Sequence, residues 1–269
     1  MGGTPLASLP TRLATCLLAC QPEQKSACVH ALWHDWQAGG IAAMPDSPRQ
    51  PIDQPGRPER PALVAPPQVA RRRADTLAGR AALIHALAHI EFNAINLALD
   101  AAHRFSGMPR AYYADWLRVA DEEAAHFELL RGHLQTLGHD YGDFPAHNGL
   151  WEMALKTAHD PLVRMALVPR VLEARGLDAT PLIVDKLRLA QDLRAIQILG
   201  IIERDEIGHV AIGSRWFAHL CEARGLAPDA TFRRLLAEYD APPLKPPFNL
   251  EARSRAGFSD DELLWLKSL

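Results

Sequence analysis

Two copies of Glu-x-x-His stand out in the chain, Glu123-Ala-Ala-His126 and Glu206-Ile-Gly-His209. A lone glutamate precedes each copy at nearly the same distance: Glu91 lies 32 residues before Glu123, and Glu173 lies 33 before Glu206. On a helix, residues at i and i+3 project from one face, so a glutamate and a histidine so spaced can reach the same metal ion. Four carboxylates offset the charge of two divalent cations and can bridge them. Neutral imidazoles complete the shell and leave positions for oxygen or peroxide. Burying four glutamates without a cation costs several kcal/mol each even after relaxation. The set therefore predicts a dinuclear metal centre inside a helical bundle. The competing reading is a metal-free bundle whose acids face water. A single Glu-x-x-His fits that reading well, whereas two copies with matched lone glutamates fit it poorly. Leu87, Ile90, Ile95 and Ile201 are expected to crowd the site, which also argues against it.

These residues need helices that bring them to one height. The first pair turns near Gly107, with Glu91 16 residues before it and Glu123 16 after it. At 1.5 Å per residue both sit roughly 24 Å from the turn, side by side on antiparallel helices. The midpoint between Glu173 and Glu206 falls just before Gln191-Asp192, where a second turn is predicted. The long helices are read as 71–105, 109–137, 161–189 and 192–224. The third should be interrupted at Pro169 and across Gly176 to Pro181 by a bend or a non-helical turn. The run Ile196 to Ile202 is apolar almost all round and is expected to be buried.

Outside this core, residues 8–38 read as two helices broken at Gln21-Pro22 and stopped by Gly39-Gly40. Residues 41–70 hold eight prolines, a density that excludes helix and sheet ladders. They predict an extended arm that packs on its own domain or reaches a second copy in a homodimer. A short helix over 149–159, another beyond Gly225, a Pro-rich tail and a capping box at Ser259-Asp-Asp-Glu262 complete the chain. No segment shows strand alternation. The fold class is all-α. The expected organisation is N-terminal helices and arm over 1–70, a four-helix bundle over 71–226 and a C-terminal extension over 227–269.

Other residues have assigned expectations. Glu122 and Asp205 precede the motif glutamates and are candidates to orient the ligating histidine of the opposite hairpin. Glu203, one turn before Glu206, is the candidate catalytic residue as a proton carrier, with an extra ligand or a surface acid as alternatives. His85 and His89 are read as packing residues, because His89 and Glu91 do not share a face. His147 is a candidate for a pocket mouth. Arg71-Arg72-Arg73 with Arg80 form a basic patch, read as a solvated helix start, with an RNA or acidic partner as the alternative.

The composition of the 269 residues is that of an ordinary globular protein, 48% hydrophobic and 23% charged. A net charge of −3 gives no general pull toward nucleic acid. Cys16, Cys20, Cys28 and Cys221 include no Cys-x-x-Cys pair and read as small packing residues, Cys16 and Cys20 sharing a helix face. No basic n-region precedes the apolar run 14–19, and no stretch approaches a membrane span. A reducing, cytoplasmic setting is expected. No phosphate-binding Gly-rich loop and no nucleophile elbow is present.

The ordered set of glutamates and Glu-x-x-His motifs resembles the ferritin-like superfamily of dinuclear carboxylate proteins. Three further stretches are similar to an uncharacterised bacterial ferritin-like domain family of unknown function. They are Gly142-Asp-Phe-Pro-Ala-His-Asn-Gly-Leu-Trp151, Val168-Pro-Arg-Val-Leu-Glu-Ala-Arg-Gly-Leu-Asp178 and Phe248-Asn-Leu-Glu-Ala-Arg-Ser-Arg-Ala-Gly-Phe258. The likeness spans most of residues 10–260. It implies a ferritin-like four-helix bundle with Glu91, Glu123, His126, Glu173, Glu206 and His209 as metal ligands. A more distant similarity links the branch to the diiron hydroxylase that modifies a tRNA base. Radical-generating relatives carry a tyrosine one turn past the first motif histidine. Here that position is Leu130, so no stored tyrosyl radical is expected, and Tyr112 and Tyr113 are read as packing residues. The expected cofactor is two iron ions, with manganese or a mixed iron–manganese pair as alternatives. The expected function is an O₂-activating oxidoreductase or hydroxylase acting on a small molecule or RNA, with electrons from a separate donor. A ferroxidase, a dimanganese peroxide-disproportionating enzyme and an interaction module with a vestigial site are the alternatives.

Overall fold

The structure is a computed structural model that describes residues 8–41, 49–69 and 73–269. Arm residues 42–48 and Arg71 and Arg72 of the basic patch lie outside the described residues. Among the described residues the chain is all-α, with a single parallel bridge between Leu63 and Ala146 and no strand. It divides into two compact units, residues 1–71 with 81–151 and residues 72–80 with 152–269.

The first unit opens with α1 (Leu9–Leu18) and α2 (Pro22–Gln37). The break at Gln21-Pro22 is where the sequence places it, and Pro22 supplies the fixed φ of a first helical position. The end of α1 leaves carbonyls without partners. The buried Lys25 Nζ donates to two of them, Cys16 O at 3.0 Å and Leu17 O at 2.8 Å. Burial pulls that ammonium down to about 7. The packing role expected for Cys16 is corrected: Cys16 and Cys28 form a disulfide that joins α1 to α2. Cys20 lies beyond the end of α1 and so does not share its face. The bond also removes the cysteine argument for a reducing compartment.

α3 (Leu77–Arg104) and α4 (Arg110–Thr136) form the first long hairpin. Its turn uses Gly107 at φ +74°, a left-handed position that glycine takes without strain. Tyr112 and Tyr113 are packing residues, their hydroxyls donating to the Ala101 and Phe105 carbonyls at 3.2 and 3.1 Å. α3 starts at Leu77 rather than Arg71, because the Thr76 hydroxyl accepts from Gly79 N at 3.0 Å and fixes the first turn there. By length and apolarity α3 would suffice to cross a membrane, contrary to the sequence reading, and most of it is buried inside the protein. α2 packs on α4, where His30 pairs with Asp121 at 2.6 Å.

The Pro-rich arm lies on its own unit. Gly56 N donates to Leu17 O at 2.8 Å, and Arg49 donates to the Ala102 and His103 carbonyls at the end of α3. Arg104 grips the buried Asp100 at 2.9 Å and the arm carbonyl of Ile52 at 2.9 Å. A loop and α5 (Gly149–Lys156) lead out of this unit.

In the second unit, α6 (Pro161–Leu167) runs into a π-helical stretch, Val168–Glu173, and then α7 (Ala174–Leu189). The expected interruption at Pro169 is thus a widened turn. A proline has no N–H to give an α-helical ladder, and one extra residue per turn absorbs the mismatch. α8 (Leu193–Ala223) packs closely on this stretch. A Cβ at Gly213 would lie 2.3 Å from the Pro169 ring. Gly213→Ala is therefore expected to cost about 1–3 kcal/mol through overpacking, read as a lower urea midpoint.

The bend expected across Gly176 to Pro181 is corrected: α7 is continuous through both residues. Pro181 deprives the Leu177 carbonyl of its donor, and Asn249 Nδ2 supplies one at 3.4 Å. The all-round burial expected for Ile196 to Ile202 is corrected too. Ile198, Leu199 and Ile202 are buried, whereas Gln197 and Gly200 face solvent. The chain ends in α9 (Pro228–Glu238), α10 (Leu250–Arg255) and α11 (Asp260–Lys267), and α11 opens with the predicted Ser259–Glu262 capping box. Two buried arginines fasten this extension. Arg170 of the π stretch pairs with Glu262 at 2.6 Å, and Arg253 of α10 pairs with Asp178 of α7 at 2.6 Å.

Candidate metal centre

In the first unit Glu91 comes from the middle of α3, and Glu123 and His126 come from facing turns of α4. Their ligand atoms lie within 4.8 Å of one another. His126 Nδ1 stands 3.3 Å from Glu91 Oε2 and 3.5 Å from Glu123 Oε2. All three side chains are buried. The equal heights expected of the hairpin are thus realised for this half of the set.

The electrostatics are those of ionisable groups crowded into a buried site. Burial first, then repulsion from Glu123, pushes the Glu91 carboxyl up to about 8. Burial opposes a charged His126, but hydrogen bonds and attraction from Glu123 and Glu91 outweigh it and push the imidazole up to about 11. The two shifts share one cause. Two carboxyl groups crowd the imidazole in a dry site, where protons offset charge that a bound metal ion could offset instead. This buried group of glutamates and a histidine could hold a metal ion.

An aromatic cluster packs on the same two helices. Phe92 and Phe127, each next to a ligand candidate in sequence, stand 5.3 Å apart, and Tyr141 lies 5.3 and 5.1 Å from them. The sequence reading passed over Tyr141, although it directly precedes the 142–151 stretch. The burial expected of Ile90 is corrected: it is 46% exposed, Leu87 is half-buried, and Ile95 alone of the three on α3 is fully buried. Leu130, in place of a tyrosine, is buried.

His85 and His89 are packing residues, as read. His89 Nδ1 meets the Tyr141 hydroxyl at 2.8 Å and its Nε2 meets the His147 carbonyl at 3.0 Å, while His85 Nε2 accepts from Gly142 N at 2.9 Å. The exposed His147 ring accepts from Gly149 N at 3.2 Å and so caps the start of α5. Burial, then repulsion from His89, pulls His85 down to about 4. A base with a lowered folded pKa keeps its stability above the unfolded value, near 6.5, and loses it as pH falls toward 4. His85 alone should cost roughly 3 kcal/mol across that window, because a protonated Nε2 can no longer accept from Gly142. His85→Gln should flatten this part of the acid-unfolding profile, measured by urea titrations at pH 7 and pH 5.

In the second unit Glu206 and His209 sit together on α8, with His209 Nδ1 3.0 Å from Glu206 Oε1 and His209 fully buried. Glu203 lies one turn earlier and is half-buried. Glu173 is the last residue of the π-helical stretch and is half-buried. π-helical turns recur at functional sites because the extra residue re-aims a side chain. Asp205 pairs with Arg204 at 2.9 Å, and in the first unit Arg118 stands 3.9 Å from Glu122. Arg80 of the expected basic patch is paired with Asp192 at 3.8 Å, and Arg73 with Asp75 at 2.5 Å.

An all-α protein with a buried carboxylate–imidazole group is thus defined by its own geometry. The chain belongs to the family described as protein of unknown function (DUF455), whose model matches residues 18–264. It is similar to a Haemophilus influenzae protein described as uncharacterized, 55% identical over 216 residues that cover 78% of this chain and 75% of the relative. No solved structure matches it.

Proposed function

We propose that this chain is a ferritin-like four-helix-bundle metalloprotein. It binds two iron ions and activates O₂ to oxidise or hydroxylate an organic substrate. The observation that carries the reading is the buried Glu91–Glu123–His126 group, two carboxyl groups and an imidazole whose ligand atoms lie within 4.8 Å of one another. Glu173, Glu206 and His209 are the proposed remaining ligands. Their support is the repeat itself, a lone glutamate followed at near-equal distance by Glu-x-x-His.

Mixed oxygen and nitrogen donors with open positions suit iron and manganese, and fit a centre that binds oxygen. Bound iron would supply the redox equivalents for O₂ reduction. The chain's own residues hold and tune it. Glu91 and Glu123 contribute charge, and the burial of Glu91, Glu123 and His126 keeps bulk water away. Glu203, beside Glu206 on α8, is the proposed proton carrier. Electrons come from a separate reductase, since no flavin or haem motif is present.

Loading the protein with ferrous iron without air and then admitting O₂ tests the reading. O₂ uptake proportional to bound iron, lost in Glu123→Gln and Glu206→Ala, is expected. Mineralisation of hundreds of irons per oligomer would instead assign an iron store. Peroxide disproportionation by the manganese-loaded protein alone would assign a dimanganese enzyme.

A further inference from the structure

A second site lies in the second unit, between α7 and the Pro-rich segment that leads to α10. The cavity there measures about 210 Å³. Leu172 of the π stretch and Leu182 of α7 line one side, and Leu182 is 48% exposed. Phe248 and the two proline pairs, Pro242-Pro243 and Pro246-Pro247, line the other. Prolines have a fixed φ, so this wall loses little entropy when something binds against it.

The charges in the cavity do not balance. Arg253 and Asp178 line it, but they neutralise each other, with Arg253 Nη2 and Nε at 2.6 and 3.0 Å from the carboxylate. Backbone N–H of Asn249 occupies Asp178 Oδ1 as well, at 2.9 Å. Arg175 and Lys245 remain. Both line the cavity, both are solvent-exposed, and among the described residues neither forms an ion pair or a side-chain hydrogen bond. An apolar trough with two uncommitted cations is complementary to a molecule with a short apolar body and one anionic end. A volume near 210 Å³ is that of roughly seven liquid waters, which limits the occupant to about ten heavy atoms.

We propose that this cavity binds a small apolar carboxylate or phosphate monoester, with Arg175 and Lys245 holding the anionic group and Leu172, Leu182 and Phe248 holding the apolar body. The site needs no metal and stands apart from the iron reading. Its place beside Leu172 sets it next to Glu173 in sequence, on the stretch that carries that glutamate.

Hexanoate titrated into the full-length, isotope-labelled protein and followed by NMR tests the proposal. Saturable shifts confined to 171–182 and 242–253 are expected. Binding should weaken at least tenfold in Arg175→Gln with Lys245→Gln, two surface changes that leave the fold intact by circular dichroism. Hexan-1-ol, with the same body and no charge, should bind at least tenfold more weakly than hexanoate. Non-saturating shifts, shifts spread over unrelated surface, equal binding of the alcohol or unchanged binding in the double variant would each overturn it. Metal content in the same samples reports separately on the iron reading.

Discussion

Glu123→Gln is expected to stabilise the metal-free protein by roughly 1–3 kcal/mol and to abolish its stabilisation by metal. Glu123 is fully buried and shares its surroundings with Glu91, so the two carboxylates repel each other in a site that holds one imidazole. That repulsion, added to burial, is why the Glu91 carboxyl sits near 8. Removing the Glu123 charge leaves the Glu91 carboxylate, 3.3 Å from His126, without that repulsion. With metal present the sign reverses. The wild type gains stability because the ion binds the folded chain and not the unfolded one, whereas the variant lacks a ligand and gains little. Chemical unfolding of both proteins, with chelator and with ferrous iron, reads all four values. A variant that is weaker than wild type by the same amount in both conditions would mark the glutamate as a structural residue only.

The second large effect concerns the π stretch. Glu262→Ala is expected to cost about 3–5 kcal/mol. Arg170 is buried, 2.6 Å from Glu262, and its guanidinium lies 4.8, 4.3 and 4.8 Å from the centres of Phe217, Phe232 and Phe258. Rings attract a cation, but three rings do not replace a carboxylate that is its buried counter-charge. Glu262 also closes the capping box of α11 by accepting from Ser259 N at 3.0 Å, a bond worth about 1 kcal/mol that its loss removes. Replacing both partners with apolar residues, Arg170→Met with Glu262→Leu, removes the unpaired charge and should recover most of the loss. If Glu262→Ala alone proved neutral in urea unfolding, the pair would have no role in holding the extension.

The two largest effects differ in how well the sequence foretold them. The Glu123 neighbourhood was legible because its partners follow a short rule: i, i+3 on one helix, and equal distance from a turn marked by Ser106 to Pro109. The break at Pro22, the turn at Gly107 and the capping box at Ser259 were legible for the same reason, each being set by residues adjacent in sequence. Arg170–Glu262 was not, since 92 positions separate the partners and neither carries a local signal. Pro181 misled for a related reason. A proline inside a helix implies a bend only until a distant donor serves the orphaned carbonyl, and here Asn249 does so from 72 residues beyond Leu177. Cys16 and Cys28 are joined by the short link that folds α2 back on α1, a geometry that cysteine spacing alone does not reveal. The Ala- and Arg-rich run before α3 reads as helix on composition, but over 73–76 the Thr76 cap, a weaker signal, overrides it and the helix starts at Leu77. Ile90 is apolar yet exposed, because the helical phase and not apolar content decides which face of α3 is buried.

The proposed function requires that a buried carboxylate–imidazole cluster take up a pair of metal ions. Elemental analysis of protein loaded anaerobically with ferrous iron and desalted tests it most directly. About two ions per chain are expected in the wild type, with retention lost when Glu91, Glu123 or Glu206 is changed to Ala in a variant that still folds. Wild-type protein that retains no iron or manganese, or variants that retain as much as the wild type, would contradict it.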